Sequence, residues 1–155
     1  MKVLVTGSAG HLGEALVRVL AGQGHDVRSL DVLASDFTSD VGSICDRELV
    51  RGCVEGVDAV LHAATLHKPH VETHTRQDFV DVNVTGTLGL LEAAVAARVG
   101  AFVFTSTTSV FGDAMKPAPG EPAVWVNEEV EPRPKNIYGV TKLAAENLCA
   151  LMHRL

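Results

Sequence analysis

Tyr138 and Lys142 are the two residues whose types and spacing most directly indicate catalysis. They are four positions apart, so on a helix their side chains would share one face, one turn apart. An ammonium close to a tyrosine stabilises the phenolate and lowers the tyrosine pKa, which would let Tyr138 exchange a proton with a substrate hydroxyl. The same spacing on an exposed helix surface is common by chance, so the pair gains weight only from what surrounds it.

A run of hydroxyl residues lies upstream of this pair, at residues 105–112, with the sequence TSTTSVFG. A hydroxyl here could hydrogen-bond the reacting oxygen of a substrate and hold it beside Tyr138. The alternative is an ordinary polar turn, since Ser and Thr are common turn residues.

A glycine-rich segment near the N-terminus, residues 6–13 with the sequence TGSAGHLG, indicates a dinucleotide site. Gly7, Gly10 and Gly13 would permit a tight turn, a close approach of a pyrophosphate, and close packing of helix on strand. Free amides at the helix start attract phosphate without basic side chains. Alone, the segment could be a simple strand-to-helix connector.

Asp31, at the end of the next predicted strand, would accept hydrogen bonds from ribose hydroxyls and repel a 2′-phosphate, which favours NAD over NADP.

The elements that must position these residues alternate between strand and helix. This order predicts a doubly wound parallel α/β sheet, the Rossmann fold, with ligands beyond the carboxyl ends of the strands. A Pro-rich stretch at 116–134 predicts a long surface loop. Apolar runs predict strands at 3–5, 27–30, 41–44, 57–61 and 101–105, and helical spacing predicts helices at 11–21, 46–51, 75–98 and 136–155.

Length and composition narrow the class of protein. The 155 residues, 46% hydrophobic and 21% charged, predict one globular domain. With the glycine-rich segment, residues 1–155 are expected to form an incomplete NAD(P)-binding Rossmann domain. A net charge of −6 and 5% aromatic residues argue against nucleic-acid binding. No continuous apolar run approaches the roughly 18 residues of a membrane span, so we expect no membrane partner. Three cysteines without metal-ligand spacing are typical of reduced thiols in a cytoplasmic protein.

Taken together, the sequence resembles the extended short-chain dehydrogenase/reductase family, specifically its NAD-dependent epimerase/dehydratase group. The matching residues span nearly the whole chain and occur in the family's order. They are residues 6–13, Asp31, DAVLHAA at 58–64, NVTGT at 83–87, residues 107–112 and YGVTK at 138–142.

The resemblance implies roles for individual residues. Tyr138 is similar to the family's acid/base, Lys142 to the partner that tunes its pKa and binds a ribose hydroxyl, and Thr107 to the catalytic Ser or Thr. Two departures stand out: Phe111 replaces the Tyr of a V-Y-G motif, and Ser43 replaces the Asp that normally meets the adenine amino group. The cofactor-binding residues implied are Gly7, Gly10, His11, Leu12, Gly13, Asp31, Ser43, Ile44, Leu61, Ala63, Ala64, Asn83, Thr105, Tyr138 and Lys142.

The histidines allow a competing interpretation. His67, His70 and His74 are close in sequence and suggest a zinc site. Pro69 disrupts a regular helical presentation and no Cys or carboxylate completes an obvious ligand set, so we expect no metal and interpret them as solvated or substrate-facing. We expect His62, at a strand end, to be packed and hydrogen-bonded.

The resemblance implies an NAD-dependent oxidoreductase or epimerase that transfers hydride at a secondary alcohol of a sugar, nucleotide sugar or related small molecule. A non-catalytic dinucleotide sensor remains the alternative. Family members are longer, and we expect the chain to be a piece that stops before the C-terminal lobe that binds the substrate. The resemblance also suggests a homodimer through the helices at 75–98 and 136–155.

Overall fold

A five-stranded parallel sheet forms the centre of the computed structural model, which describes residues 1–154. The strand order is β3-β2-β1-β4-β5. The chain adds β2 and β3 on one side of β1, then crosses back and adds β4 and β5 on the other side. This confirms the predicted doubly wound sheet. The strands are β1 (Lys2–Thr6), β2 (Asp26–Asp31), β3 (Asp40–Val41), β4 (Ala59–His62) and β5 (Ala101–Phe104).

Helices cover both faces of the sheet, because right-handed crossovers that run in opposite directions along the sheet lie on opposite sides. Helix α1 packs on β1 and β2, whereas α2, α4 and α5 contact one another in a row. The main core lies under that row and contains Leu4, Leu30, Val60 and Leu90, all fully buried. The helices are α1 (His11–Gly22), α2 (Arg47–Val54), α3 (Arg76–Val80), α4 (Thr87–Ala96) and α5 (Ile137–Arg154).

The third strand is shorter than the sequence predicts. It has only two residues, and Ile44, which we expected at its end, lies beyond the strand with its side chain in the core. Of the residues in the apolar pattern at 41–44, Val41 pairs with Asp31 in the sheet, whereas Ile44 is apolar because it is buried in the core. The helix predicted at 46–51 forms at Arg47–Val54, where the Asp46 side chain caps the amides of Glu48 and Leu49.

The helix predicted at 75–98 is not one regular helix. A π-helical turn, Asp81–Gly86, separates α3 from α4. The helical run begins after the capping box formed by Thr75 and Asp78, and it ends at Ala96. Arg98 takes the left-handed conformation with φ of 56°, so the turn that ends the helix forms before Gly100.

By length and composition, the helical run Arg76–Ala96 could cross a membrane, with a mean hydropathy of 1.3 over its most apolar window. Half of that window is buried inside the protein, where Phe79, Leu90 and Leu91 are part of the core. The composition is that of a core helix, and the absence of a membrane partner stays a prediction.

His62 connects three elements through a buried hydrogen-bonded bridge. Its Nδ1 lies 2.6 Å from Thr6 Oγ1 at the end of β1, and its Nε2 lies 2.9 Å from Thr87 Oγ1 at the start of α4. Burial, together with the positive charge of Lys142, lowers the pKa of His62 to about 3. The expectation of a packed, hydrogen-bonded histidine is confirmed.

The Pro-rich stretch forms an exposed loop joined to residue 112 by a bridge between Gly112 and Arg133. The final helix begins at Ile137, and position 155 of the predicted helix lies outside the described residues.

Apolar side chains on α4 and α5, including Val95, Val140 and Leu151, are exposed. They are compatible with the homodimer, which stays a prediction.

We expect His62 to make the protein less stable in mild acid. The unfolded histidine takes up a proton near pH 6.5, whereas the folded one stays neutral down to about pH 3. The free energy of unfolding should therefore fall as the pH drops below about 6.5, by about 2 kcal/mol from this residue alone between about pH 7.5 and about pH 5. Urea denaturation at both pH values would measure it. His62→Gln should show a correspondingly weaker pH dependence, and identical dependence in the two proteins would contradict this account.

We also expect Gly13→Ala to destabilise the fold. Gly13 is buried in the first turn of α1, and a Cβ there would overlap the carbonyl oxygen of Gly7. We expect a loss of about 1–3 kcal/mol, the usual cost of overpacking. Gly22→Ala is the matched control, because Gly22 is in the same helix with open space around it and should gain up to about 1 kcal/mol. Equal effects of the two substitutions in denaturation experiments would refute the packing role of Gly13.

Candidate active site

The glycine-rich turn lies where β1 ends, against the end of β4. Gly7 has a φ of 79°, and a Cβ at this position would lie 2.6 Å from the Ala64 nitrogen. The amide of Ala63 donates to the Thr6 carbonyl, and the amide of Ala64 donates to Thr6 Oγ1. The two alanines therefore form a backbone wall beside the turn.

The start of α1 follows this turn directly and faces solvent. Gly10 occupies the N-cap position and has no side chain with which to cap the helix, and His11 and Leu12 are exposed in the first turn. The first amides of a helix have no partners within it and carry partial positive charge. Gly10 also leaves open space at the surface, since a Cβ there would meet only the Gly7 carbonyl oxygen, at 3.2 Å. This surface can accept a phosphate group.

Asp31 is part of this site rather than a free turn residue. One carboxylate oxygen accepts a hydrogen bond from the amide of Ala9, at 3.0 Å, and the other accepts one from Leu33, at 2.9 Å. The carboxylate therefore stiffens the glycine-rich turn and stays half-exposed at the end of β2. Each oxygen has a second lone pair that can accept a hydroxyl hydrogen bond.

Ser43, expected near adenine, and the other expected cofactor-binding residues Ile44 and Leu61 have side chains that are partly engaged within the protein. Ser43 Oγ accepts a hydrogen bond from the amide of Cys45 within a local turn, at 3.1 Å. The Ile44 side chain packs against Gly86 in the core, so only its backbone is available to a ligand. Leu61 is half-buried in β4.

Lys142 occupies the most unusual environment in the site. The side chain is 2% exposed, its Nζ donates to the carbonyl oxygen of Thr105 at 2.5 Å, and it lies 3.8 Å from the centre of the Phe104 ring. Burial lowers the pKa of Lys142 to about 8, although the negative forms of Cys149 and Glu146 oppose the shift. At neutral pH the ammonium is therefore mostly charged, and only one of its three N–H donors is used on Thr105.

Tyr138 is buried at 8% exposure, one turn before Lys142 on α5. The start of α5 packs closely on the short turn Thr108–Val110, because Gly139 lies so near the Ser109 carbonyl that a Cβ would approach it to 2.5 Å. Thr107 caps that turn, its Oγ1 accepting from the amide of Ser109. The fold thus brings the hydroxyl run and the Tyr–Lys helix together at the carboxyl end of β5.

Asn83, in the π-helical turn, connects these parts. Its amide oxygen accepts from the amide of Leu66 and from Thr65 Oγ1, and its amide nitrogen donates to the Leu66 carbonyl and to Thr141 Oγ1. Thr141 in turn donates to backbone carbonyls of α5. Asn83 is 2% exposed, so it fixes the chain after β4 to α5 rather than facing a ligand with its amide.

Sequence reasoning missed the part played by Thr141 and by the π-helical turn. Thr141 lies directly before Lys142, and a hydroxyl on the buried side of a helix was an available signal. The helical pattern at 75–98 gave no sign of the π turn, because a π turn is itself helical and differs from the α-helix in its hydrogen bonds rather than in the residue types it needs.

The three loop histidines lie in a row beside this site. The rings of His67 and His70 have centroids 4.4 Å apart, and those of His70 and His74 are 5.1 Å apart. His70 Nδ1 accepts from the amide of His67, so this nitrogen has a structural partner. Among residues 1–154, no group of three or more His, Cys, Asp or Glu side chains is arranged to hold a metal ion.

Comparisons with known proteins agree with this arrangement. A sequence profile of the NAD dependent epimerase/dehydratase family matches residues 3–155. A UDP-glucose 4-epimerase of Streptomyces lividans is 32% identical over 95% of this chain and 46% of its own length. A 3 beta-hydroxysteroid dehydrogenase/Delta 5-->4-isomerase of Mycobacterium tuberculosis is 35% identical over 94% of this chain and 41% of its own length.

The crystal structure of a short-chain dehydrogenase/reductase superfamily protein from Agrobacterium tumefaciens, with bound NAD, superimposes with a TM-score of 0.87. It is 36% identical, and the match covers 99% of this chain and 45% of that one. The chain thus spans less than half the length of these relatives. The profile match over nearly all residues, together with the sheet order and the placement of the motifs, shows that the chain belongs to the NAD-dependent epimerase/dehydratase family.

Proposed function

We propose that residues 1–155 form the NAD-binding domain of an enzyme that oxidises or epimerises a secondary alcohol by hydride transfer, with Tyr138 as acid/base. The observation that carries the proposal is the convergence of three features at the carboxyl edge of one sheet. These are the uncapped start of α1, the carboxylate of Asp31, and the buried Lys142 one turn from Tyr138.

The residues present fit a dinucleotide. The first-turn amides of α1 supply donors for a pyrophosphate, and they do so without a basic side chain in a chain of net charge −6. Asp31 supplies acceptors for two ribose hydroxyls, and Lys142 retains donors for the ribose near the reacting ring. When bound, NAD supplies the acceptor or donor of hydride; the protein supplies position and charge.

The chemistry left to the chain is the transfer of one proton. Lys142 lies one helical turn from Tyr138, and its ammonium would stabilise negative charge that develops on the tyrosine oxygen as a proton moves. A phenolate at this position can take the proton of a substrate hydroxyl as the C–H bond is broken, and it can return the proton in the reverse direction. Thr107 lies at the turn on which α5 packs, and in this proposal its hydroxyl would hydrogen-bond the same oxygen.

The substrate class is a sugar, a nucleotide sugar or a related molecule with a secondary alcohol. The relatives support this range, because one is named for epimerisation at position 4 of UDP-glucose and another for a 3 beta-hydroxysteroid. The proposed catalytic residues act on the hydroxyl of the secondary alcohol, which a sugar and a hydroxysteroid share. Selection between such substrates requires contacts with the rest of the substrate molecule.

We expect Asp31→Asn to weaken the preference for NAD over NADP by about tenfold or more. The amide oxygen of Asn can replace one acceptor at Ala9 or Leu33, whereas the charge that repels a 2′-phosphate is lost. Calorimetric titration of both proteins with NAD and NADP would measure the ratio of dissociation constants. Asp36→Asn, an exposed change nearby, is the control and should leave the ratio unchanged. An unaltered ratio in Asp31→Asn would contradict the assignment.

We expect Tyr138→Phe to reduce turnover by about 100-fold or more while leaving NAD affinity within about threefold. Lys142→Met should reduce both, because it removes the ammonium that tunes Tyr138 and the donors available to a ribose. The whole protein that contains this chain would be assayed as wild type and as each variant. NADH absorbance would follow the reaction with UDP-glucose and with a 3 beta-hydroxysteroid, and chromatography would quantify any epimer. Wild-type turnover in Tyr138→Phe would rule out the mechanism.

A further inference from the structure

Glu146 lies on the same face of α5 as Tyr138 and Lys142, one further turn along, because the three residues are spaced by four. Its carboxylate accepts a hydrogen bond from Ser106 Oγ, in the segment that follows β5. Thr105, the residue before Ser106, provides the carbonyl that holds Lys142. Two consecutive residues after β5 are therefore bound by two consecutive turns of the same helix.

We propose that Glu146 is a positioning residue that holds the Lys142 ammonium, charged and correctly placed, at the end of β5. This inference rests on the proposed function, since it gives a purpose to a charge held beside Tyr138. Glu146 does not touch the reacting atoms, so it would act through Lys142.

Two hydrogen bonds attach the segment after β5 to α5. Thr105 is also held to the end of β4, because its amide donates to the His62 carbonyl at 3.0 Å, whereas Ser106 lies beyond the strand. The Ser106–Glu146 bond adds a second point one helical turn away, which fixes the direction of the Thr105 carbonyl relative to α5. When the Thr105 carbonyl is fixed, the Lys142 ammonium stays next to Tyr138 and does not move with the loop after β5.

The groups that face Lys142 come from β4 and α5. On β4, His62 is neutral above about pH 3, and on α5 Tyr138 adds a polar hydroxyl. Burial raises the pKa of the Cys149 thiol, so this group is uncharged near neutral pH. Glu146 is then the negative charge on α5 that favours the ammonium, against the cost of burial that lowers the pKa of Lys142 to about 8.

The test is the pKa of Lys142 itself, measured on the whole chain without cofactor or substrate. Carbon-13 NMR of labelled lysine side chains would follow the ammonium through a pH titration, with the Lys142 signal assigned by its loss in Lys142→Arg. We expect Glu146→Gln to lower the Lys142 pKa by about 0.5 units or more. Ser106→Ala, which keeps the carboxylate but releases it, should lower it by a smaller, measurable amount.

Glu121→Gln is the matched control, because it removes the same charge from the exposed Pro-rich loop. It should leave the Lys142 pKa unchanged. Amide spectra of all variants would show that the fold is retained, and Ser106→Ala still decides the matter if Glu146→Gln fails to fold. An unchanged Lys142 pKa in a folded Glu146→Gln or Ser106→Ala would overturn the proposal. NAD titration of the same samples tests the proposed function separately, so either can fail alone.

Discussion

The burial of the Lys142 ammonium at the end of β5 is the constraint on which the rest of the site depends. A charge that is 2% exposed needs a strong polar partner, and it finds the Thr105 carbonyl rather than a carboxylate. A carboxylate in direct contact would neutralise the charge and reduce its influence on Tyr138. A carbonyl and the face of the Phe104 ring stabilise the ammonium while leaving its charge effective.

The surrounding structure keeps this arrangement rigid. Asn83 attaches α5 to the chain after β4. His62 attaches β4 to β1 and α4, and Asp31 attaches the glycine-rich turn to the end of β2. Each connection lies at the carboxyl edge of the sheet, where strands that are distant in sequence end side by side. Few of these polar groups are free to reorganise, so a ligand would meet donors and acceptors already in place. This also explains how an acidic protein can present a site for an anionic cofactor, since the positive potential comes from helix amides.

Much of this was predictable from the sequence, for physical reasons that differ between residues. The sheet and its helices follow from apolar periodicity, and the buried role of His62 follows from its position at a strand end. Gly13 was predictable because helix-on-strand packing at a glycine turn leaves no room for a Cβ. The π-helical turn and the two-residue length of β3 were not, because Asn83 and Ile44 are placed by tertiary hydrogen bonds and burial that local patterns do not encode. The roles of the individual site residues stay predictions until ligand binding is measured.

An amide and lysine NMR titration of the chain with NAD would test directly whether a dinucleotide binds across the carboxyl edge of this sheet. We expect saturable shifts concentrated at residues 7–13, Asp31, Ala63, Ala64 and Lys142, which frame the proposed binding surface. Saturable shifts centred elsewhere, or none at millimolar NAD in a folded sample, would contradict it.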